Sequence, residues 1–152
     1  MTTLTECGGS VTVPSNAAGL LVSVIGILGI AGPDGSAEHA RATGRVVSRM
    51  DPDYFSMLTL MLVPATPLYR QWQAGEFQLL GAEEMLAELR LVIEHLDGLT
   101  NCVFRTNHAS NYLPLGGTLP GDKARLLAML ESALARGRDI FRPEAYGCSK
   151  VA

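Results

Sequence analysis

The sequence predicts an α/β domain with a parallel sheet, and three observations carry that expectation. Two runs, Leu20–Leu28 and Tyr54–Val63, are almost continuously apolar, as strands are when helices cover both faces of their sheet. Between them lies a helix-length segment, Ser36–Met50, which makes a strand–helix–strand unit expected to be parallel and right-handed. Beyond the second run, two segments carry one-faced helical stripes with a short strand between them. The order of elements is then βα-β-αα-β-α, about three strands and four helices.

The first strand follows from β-branched residues at its centre and from Gly26, Gly29 and Gly32, which interrupt any helical run. The same segment has a membrane-like look, because Cys7 to Pro33 carries no charge and Ala17–Gly32 is nearly all apolar. That run is about 16 residues against the roughly 20 a spanning helix needs, and no Lys or Arg precedes it. A buried strand is the expectation, and a membrane segment the distant alternative.

The loop Gly29–Gly35 follows, with Ser36 expected as N-cap and Glu38 suited to the helix dipole in the first turn. Asp51-Pro52 stops the helix, since the residue before proline avoids the α region. Pro64-Ala-Thr-Pro67 closes the second strand, and a short helix, Leu68–Ala74, ends at Gly75. A longer helix starts near Ala82. Its stripe is Met85, Leu86, Leu89, Val92, Ile93 and Leu96, which leaves Glu84, Glu88, Arg90 and Glu94 largely to water. Asp97-Gly98 ends it and Asn101–Thr106 reads as the third strand. Residues 107–121 form a polar loop rich in glycine and proline, of a length usually tied to function or disorder. Leu126, Leu127, Leu130 and Leu134 mark the last helix, Lys123–Arg136. With three strands, at least one apolar edge is unpaired and is expected to seek a partner.

The 152 residues fit one domain, 47% apolar and only 18% charged where about 25% is usual, with a net charge of -3. This excludes a disordered polar tail, and nothing in it resembles the basic footprint of a nucleic-acid binder. Cys7, Cys102 and Cys148 are odd in number, widely spaced and free of any CxxC, so neither a disulfide framework nor a zinc site is expected. Cys102, within the third strand, reads as a buried free thiol.

In α/β sheets ligands gather at the carboxyl ends of strands, here Gly29–Gly35, Val63–Thr66 and Asn107–Tyr112. The first is GxxGxxG, which departs from the dinucleotide pattern GxGxxG and lacks the Gly-Lys-Ser/Thr of a phosphate loop. A plain tight turn and a backbone approach to a nucleotide both remain open there. His39, in the first turn of its helix, is expected to position that helix or to be solvated, and His95 to be a surface residue or a C-terminal dipole partner. His108 is the most suggestive histidine, because Asn107, Ser110 and Asn111 surround it in a loop after a strand. Asn and Ser are also what turns need, so function and turn formation stay equally open for Asn107, His108, Ser110 and Asn111. No GxSxG elbow, no HExxH and no acid–base pair of carboxylates is present.

Several stretches together carry a family resemblance: VSVIGILGIAG at 22–32, SAEHAR at 36–41, DPDY at 51–54, LMLVPATPLY at 60–69, GEF at 75–77, ELRL at 88–91 and NHASNYLP at 107–114. In this order they resemble the C-terminal half of radical S-adenosylmethionine (SAM) enzymes, closest to the small Fe-S oxidoreductase-like members with a partial TIM-type (β/α)6 barrel. The resemblance runs from about Ala17 to the final helix. It implies that the first two strands are the fifth and sixth of that barrel. It also implies that Ile27, Leu28 and Gly29, with Leu62, Val63 and Pro64, form the adenine end of a SAM site. Adenine asks for an apolar wall plus a few backbone donors and acceptors, which suits these residues. Where the family usually has glycine, this chain has Ala65.

The resemblance also defines what this sequence does not contain. The family's CxxxCxxC, whose thiolates hold a 4Fe-4S cluster, occurs nowhere in it, and neither do strands one to four. The expected organisation is an unmatched leader at 1–16, the half barrel at 17–140 and a tail at 141–152. The expectation is a truncated, cytoplasmic radical SAM-like protein, inactive alone, that retains part of a SAM pocket, with no catalytic or metal-binding residue assigned. One alternative is half of a split enzyme complemented by a cluster-bearing partner; another is a non-enzymatic, self-assembling α/β module. A homo-oligomer or pairing with a separate N-terminal half is expected, with a small-molecule substrate as a candidate ligand and no nucleic acid or membrane as partner.

Overall fold

The computed structural model describes residues 19–137 and Phe141; the expected leader 1–16, Cys7, Cys148 and the rest of the expected tail lie outside the described residues. The elements are β1 (Ser23–Leu28), α1 (Gly32–Met50), β2 (Tyr54–Thr59), α2 (Pro67–Gln73), α3 (Ala82–Glu94), β3 (Cys102–Arg105), β4 (Gly116–Leu119) and α4 (Lys123–Arg136). One sheet has the order β1-β2-β3-β4, with the first three strands parallel and β4 antiparallel to β3. The α/β class and the parallel β1–α1–β2 unit agree with the sequence expectation. The apolar segment read as a membrane alternative forms β1 instead, and no helix among the described residues is long and apolar enough to cross a membrane.

Three expectations need correction. The sheet has a fourth strand, drawn from the segment read as loop 107–121. Its Gly116-Gly-Thr-Leu119 sequence carries little strand propensity, yet Gly117 is needed. A Cβ there would stand 2.8 Å from Asp122 Cβ and 2.9 Å from Arg125 Nη2. Helix α1 begins at Gly32 rather than Ser36, because Pro33 presets the first turn and Gly29 and Gly32 take positive φ (81° and 66°) to turn the chain off β1. Finally, β1 and β2 are not covered on both faces. Burial alternates along both strands, and Ile25, at 63% exposure, represents the uncovered side.

The alternation has a simple cause: α3 packs on both α1 and α4, so the long helices form a single layer. Against that layer lie Leu28, Phe55, Met57 and Phe104, all buried, with the Phe55 and Phe104 rings 5.7 Å apart between centroids. Gly44 permits the close approach of α1 to α3, since a Cβ there would fall 2.6 Å from His95 Cβ. His95 caps α3, with Nδ1 donating to Leu91 O at 2.9 Å. The three long helices leave the opposite face of the sheet uncovered. There Ile25, Ser56 and Arg105 stand in register across β1, β2 and β3, with Ser23, Tyr54 and Val103 one step below.

Candidate functional site

Of the six residues that the resemblance links to adenine, Ile27, Leu28 and Gly29 lie at the carboxyl end of β1, whereas β2 stops at Thr59, short of the expected Val63, and leaves Leu62, Val63 and Pro64 in the segment that follows it. By exposure the six divide into two groups. Ile27 and Val63 present exposed side chains, at 41% and 58%, while Pro64 is exposed and Leu62 half-buried. Leu28 turns into the helix-side core, and Gly29 is buried with its N–H directed backwards into the protein. The turn after β2 is firmly built. Thr66 donates to Val63 O from both N (3.3 Å) and Oγ1 (2.7 Å), and Thr66 Oγ1 in turn accepts from Tyr69 N at 3.2 Å as the N-cap of α2. Ala65 sits in the left-handed region at φ 69°, where glycine is the favoured residue. Pro64 has no N–H, and Val63 O is already engaged, so a base bound here would draw its backbone hydrogen bonds chiefly from Leu62 and the Val63 N–H.

The Asn107–Asn111 loop folds onto the end of β2. Asn111 is buried; its Nδ2 donates to Met57 O (2.8 Å) and Thr106 O (3.0 Å), and its Oδ1 accepts from Thr59 Oγ1 at 3.0 Å. Ser110 Oγ accepts from Thr59 N at 3.3 Å and lies 2.9 Å from His108 Nδ1, which also accepts from Ser110 N at 3.1 Å. Asn111 and Ser110 thus satisfy backbone and side-chain groups at the end of β2, while Asn107 and His108 are exposed. With Nδ1 accepting, neutral His108 carries its proton on Nε2.

The densest polar cluster was not expected from the sequence. Glu88, expected to face water, has a side chain with no exposure at all. It accepts from Gly29 N (3.2 and 3.3 Å to its two oxygens), from Ser36 Oγ (2.6 Å) and from His39 Nδ1 (2.8 Å). One carboxylate on α3 therefore ties down the turn after β1 and the first two turns of α1. His39 positions α1, one of the two roles expected of it, with Nε2 3.4 Å from Thr43 Oγ1. A signal was available: Glu88 lies three residues after Met85 and four before Val92, on the apolar stripe itself. A cavity of about 260 Å³ opens between α1 and α3 beside Ser36, Leu80 and Glu88. Three donors meet the two Glu88 oxygens, the Gly29 N–H being shared between them, so the carboxylate serves as a structural joint between α3, the β1 turn and α1.

Cys102 is fully buried on the helix side of β3, as read from the sequence, and burial, helped by the Asp51 and Asp53 carboxylates, pushes its thiol up to about 11. Among the described residues, no three His, Cys, Asp or Glu side chains gather closely enough to hold a metal ion. No family model matches the chain, and neither a curated protein nor a solved structure is similar enough to it to count as a match.

Proposed function

We propose that residues 19–137 are the C-terminal half of a radical SAM-like (β/α)6 barrel, keeping the adenine end of the cofactor pocket, and that this chain by itself performs no radical chemistry in the cytoplasm. The observation that carries the reading is the uncovered apolar face of a parallel sheet. In a closed (β/α) barrel each strand turns one side to the helices and the other to the barrel interior. Ile25, Ile27 and Tyr54 fit interior positions left open by the strands that would close the ring. The fit to SAM is partial: Ile27 and Val63 offer the apolar wall, while Gly29 N and Val63 O are occupied by Glu88 and Thr66. The fit to a 4Fe-4S cluster fails for this sequence, which lacks CxxxCxxC and whose Cys102 thiol is buried at the amino end of β3, opposite the carboxyl ends where the ligands of such sheets gather.

Two measurements test this. Anaerobic reconstitution with iron and sulfide is expected to leave the chain without cluster absorbance. S-adenosylhomocysteine is expected to shift the backbone NMR signals of Ile27 and Val63. Stoichiometric cluster uptake by this chain, or no response to the nucleoside at either residue, overturns the proposal.

A second reading is favoured by the edge of β1, which has no neighbouring strand among the described residues. In a split enzyme, a partner carrying strands one to four and the cluster cysteines would add its last strand there. Co-expression with such a partner is expected to give a soluble 1:1 complex, and separate elution of the two chains overturns this version. Pairing of β1 edges between two copies, without any enzymatic role, predicts a homodimer by light scattering instead.

A further inference from the structure

Arg105 ends β3 on the uncovered face of the sheet, and its guanidinium is the one charge that the strand positions of that face present. Those positions otherwise carry Ile, Leu, Val, Tyr, Ser, Thr and Gly. Arg105 is exposed and forms no ion pair or side-chain hydrogen bond among the described residues. Other cations are tied to neighbours: Arg45 to Glu38, Arg90 to Glu94, Lys123 to Asp97 and Arg125 to Asp122. Arg41, Arg49 and Arg136, which have no such partner, are exposed on helices, where water solvates them.

Left in water, Arg105 needs no partner. On the interior of a closed barrel it would, because a charge taken out of water unpaired is heavily penalised. This part of the argument rests on the half-barrel reading above. We propose that Arg105 anchors the oxyanion of a small-molecule ligand, a carboxylate or a phosphate, whose apolar body lies across Ile25 and Tyr54. A guanidinium suits this because its planar fork meets either group in bidentate fashion. Adjacent strands are about 4.8 Å apart, so Arg105 on β3 and Ile25 on β1 are separated by roughly 10 Å with Ser56 between them. That span suits an anionic head on an apolar body. A second copy docked face to face would instead bury two guanidiniums with no counter-charge from either face, which disfavours self-association through this surface.

The test is an NMR titration of the full chain with phenyl phosphate, phenylacetate and neutral benzyl alcohol. Both anions are expected to shift the amides of Ile25, Ser56 and Arg105, and the tighter of the two identifies the preferred oxyanion. Arg105→Gln is expected to weaken the anions at least about tenfold and to leave benzyl alcohol unchanged. Anion effects confined to other surfaces, or equal in the variant, overturn the proposal. So does broadening of these amides with protein concentration and no response to anions, which assigns the face to a second copy. The nucleoside titration reads Ile27 and Val63, so its failure with anion binding intact removes the SAM reading and leaves the anchor standing.

Discussion

The two faces of this sheet are made by the same strands and differ in what covers them. On the helix side, Phe55, Met57 and Phe104 are fully buried; on the other, Ile25 and Tyr54 face outward within the same strands. An antiparallel sheet with one wet face normally shows polar residues at alternate positions, whereas β1 is apolar on both sides. The strand's composition therefore asks for a second layer, and the helices supply only the first. That mismatch distinguishes a sheet adapted to solvent from one adapted to a cover.

Mutations on the two faces separate these alternatives. Phe104→Ala on the helix side is expected to cost about 3–5 kcal/mol in urea unfolding, since it empties the ring site facing Phe55. A cost below about 1 kcal/mol would mean the helix layer is loosely packed and the contrast between faces illusory. Glu88→Ala, which leaves Gly29 N and Ser36 Oγ without their acceptor, is expected to cost about 2–4 kcal/mol by the same measurement. It is also expected to weaken S-adenosylhomocysteine binding at the end of β1, because the Gly29 turn loses its tether.

The Cys102 thiol gives a pH test of the helix side. Its folded pKa of about 11 lies above the ordinary value of 9.0, so the folded state holds this proton longer than the unfolded state does. The stability it contributes is complete below pH 9 and is lost as the pH rises towards 11; flat stability across that window would mean that the thiol is accessible. Ala65→Gly, which relieves the left-handed alanine, is expected to stabilise by about 1 kcal/mol and raise Tm by about 2–4 °C. The smallest change is expected at the open face, where Ile25→Ser should shift stability by less than about 0.5 kcal/mol and improve solubility. A large loss there would show that something already covers the face in solution.

Much of the fold was legible because helical stripes and apolar runs are local signals. Helix α4 spans Lys123–Arg136 as its leucine spacing indicates, and α3 starts at Ala82. Strand β4 was illegible, because Gly116-Gly-Thr-Leu119 carries little strand propensity, and its pairing with β3 and the close fit of Gly117 against Asp122 and Arg125 are contacts that sequence alone does not display. The joint around Glu88 was missed for a related reason. A glutamate on an apolar stripe is ordinarily read as a polar exception, and only the fold brings Gly29, Ser36 and His39 to it. The resemblance points to the strand-end residues, but which of them face outward depends on strand register, as the opposite fates of Ile27 and Leu28 illustrate.

The last strand has one more consequence. Along the outer margin of β4, Thr118 N donates to Asp122 Oδ2 (2.8 Å), Thr118 O accepts from Asp122 N (2.9 Å), and Gly116 O accepts from Arg125 Nη2 (2.9 Å). The residues that open α4 thus occupy the groups a further strand would need, while the β1 margin has no such guard among the described residues. A linear polymer of sheets needs two free margins per unit, and among the described residues this sheet leaves only the one along β1, so any strand pairing there would stop after a single event rather than extend into a fibre.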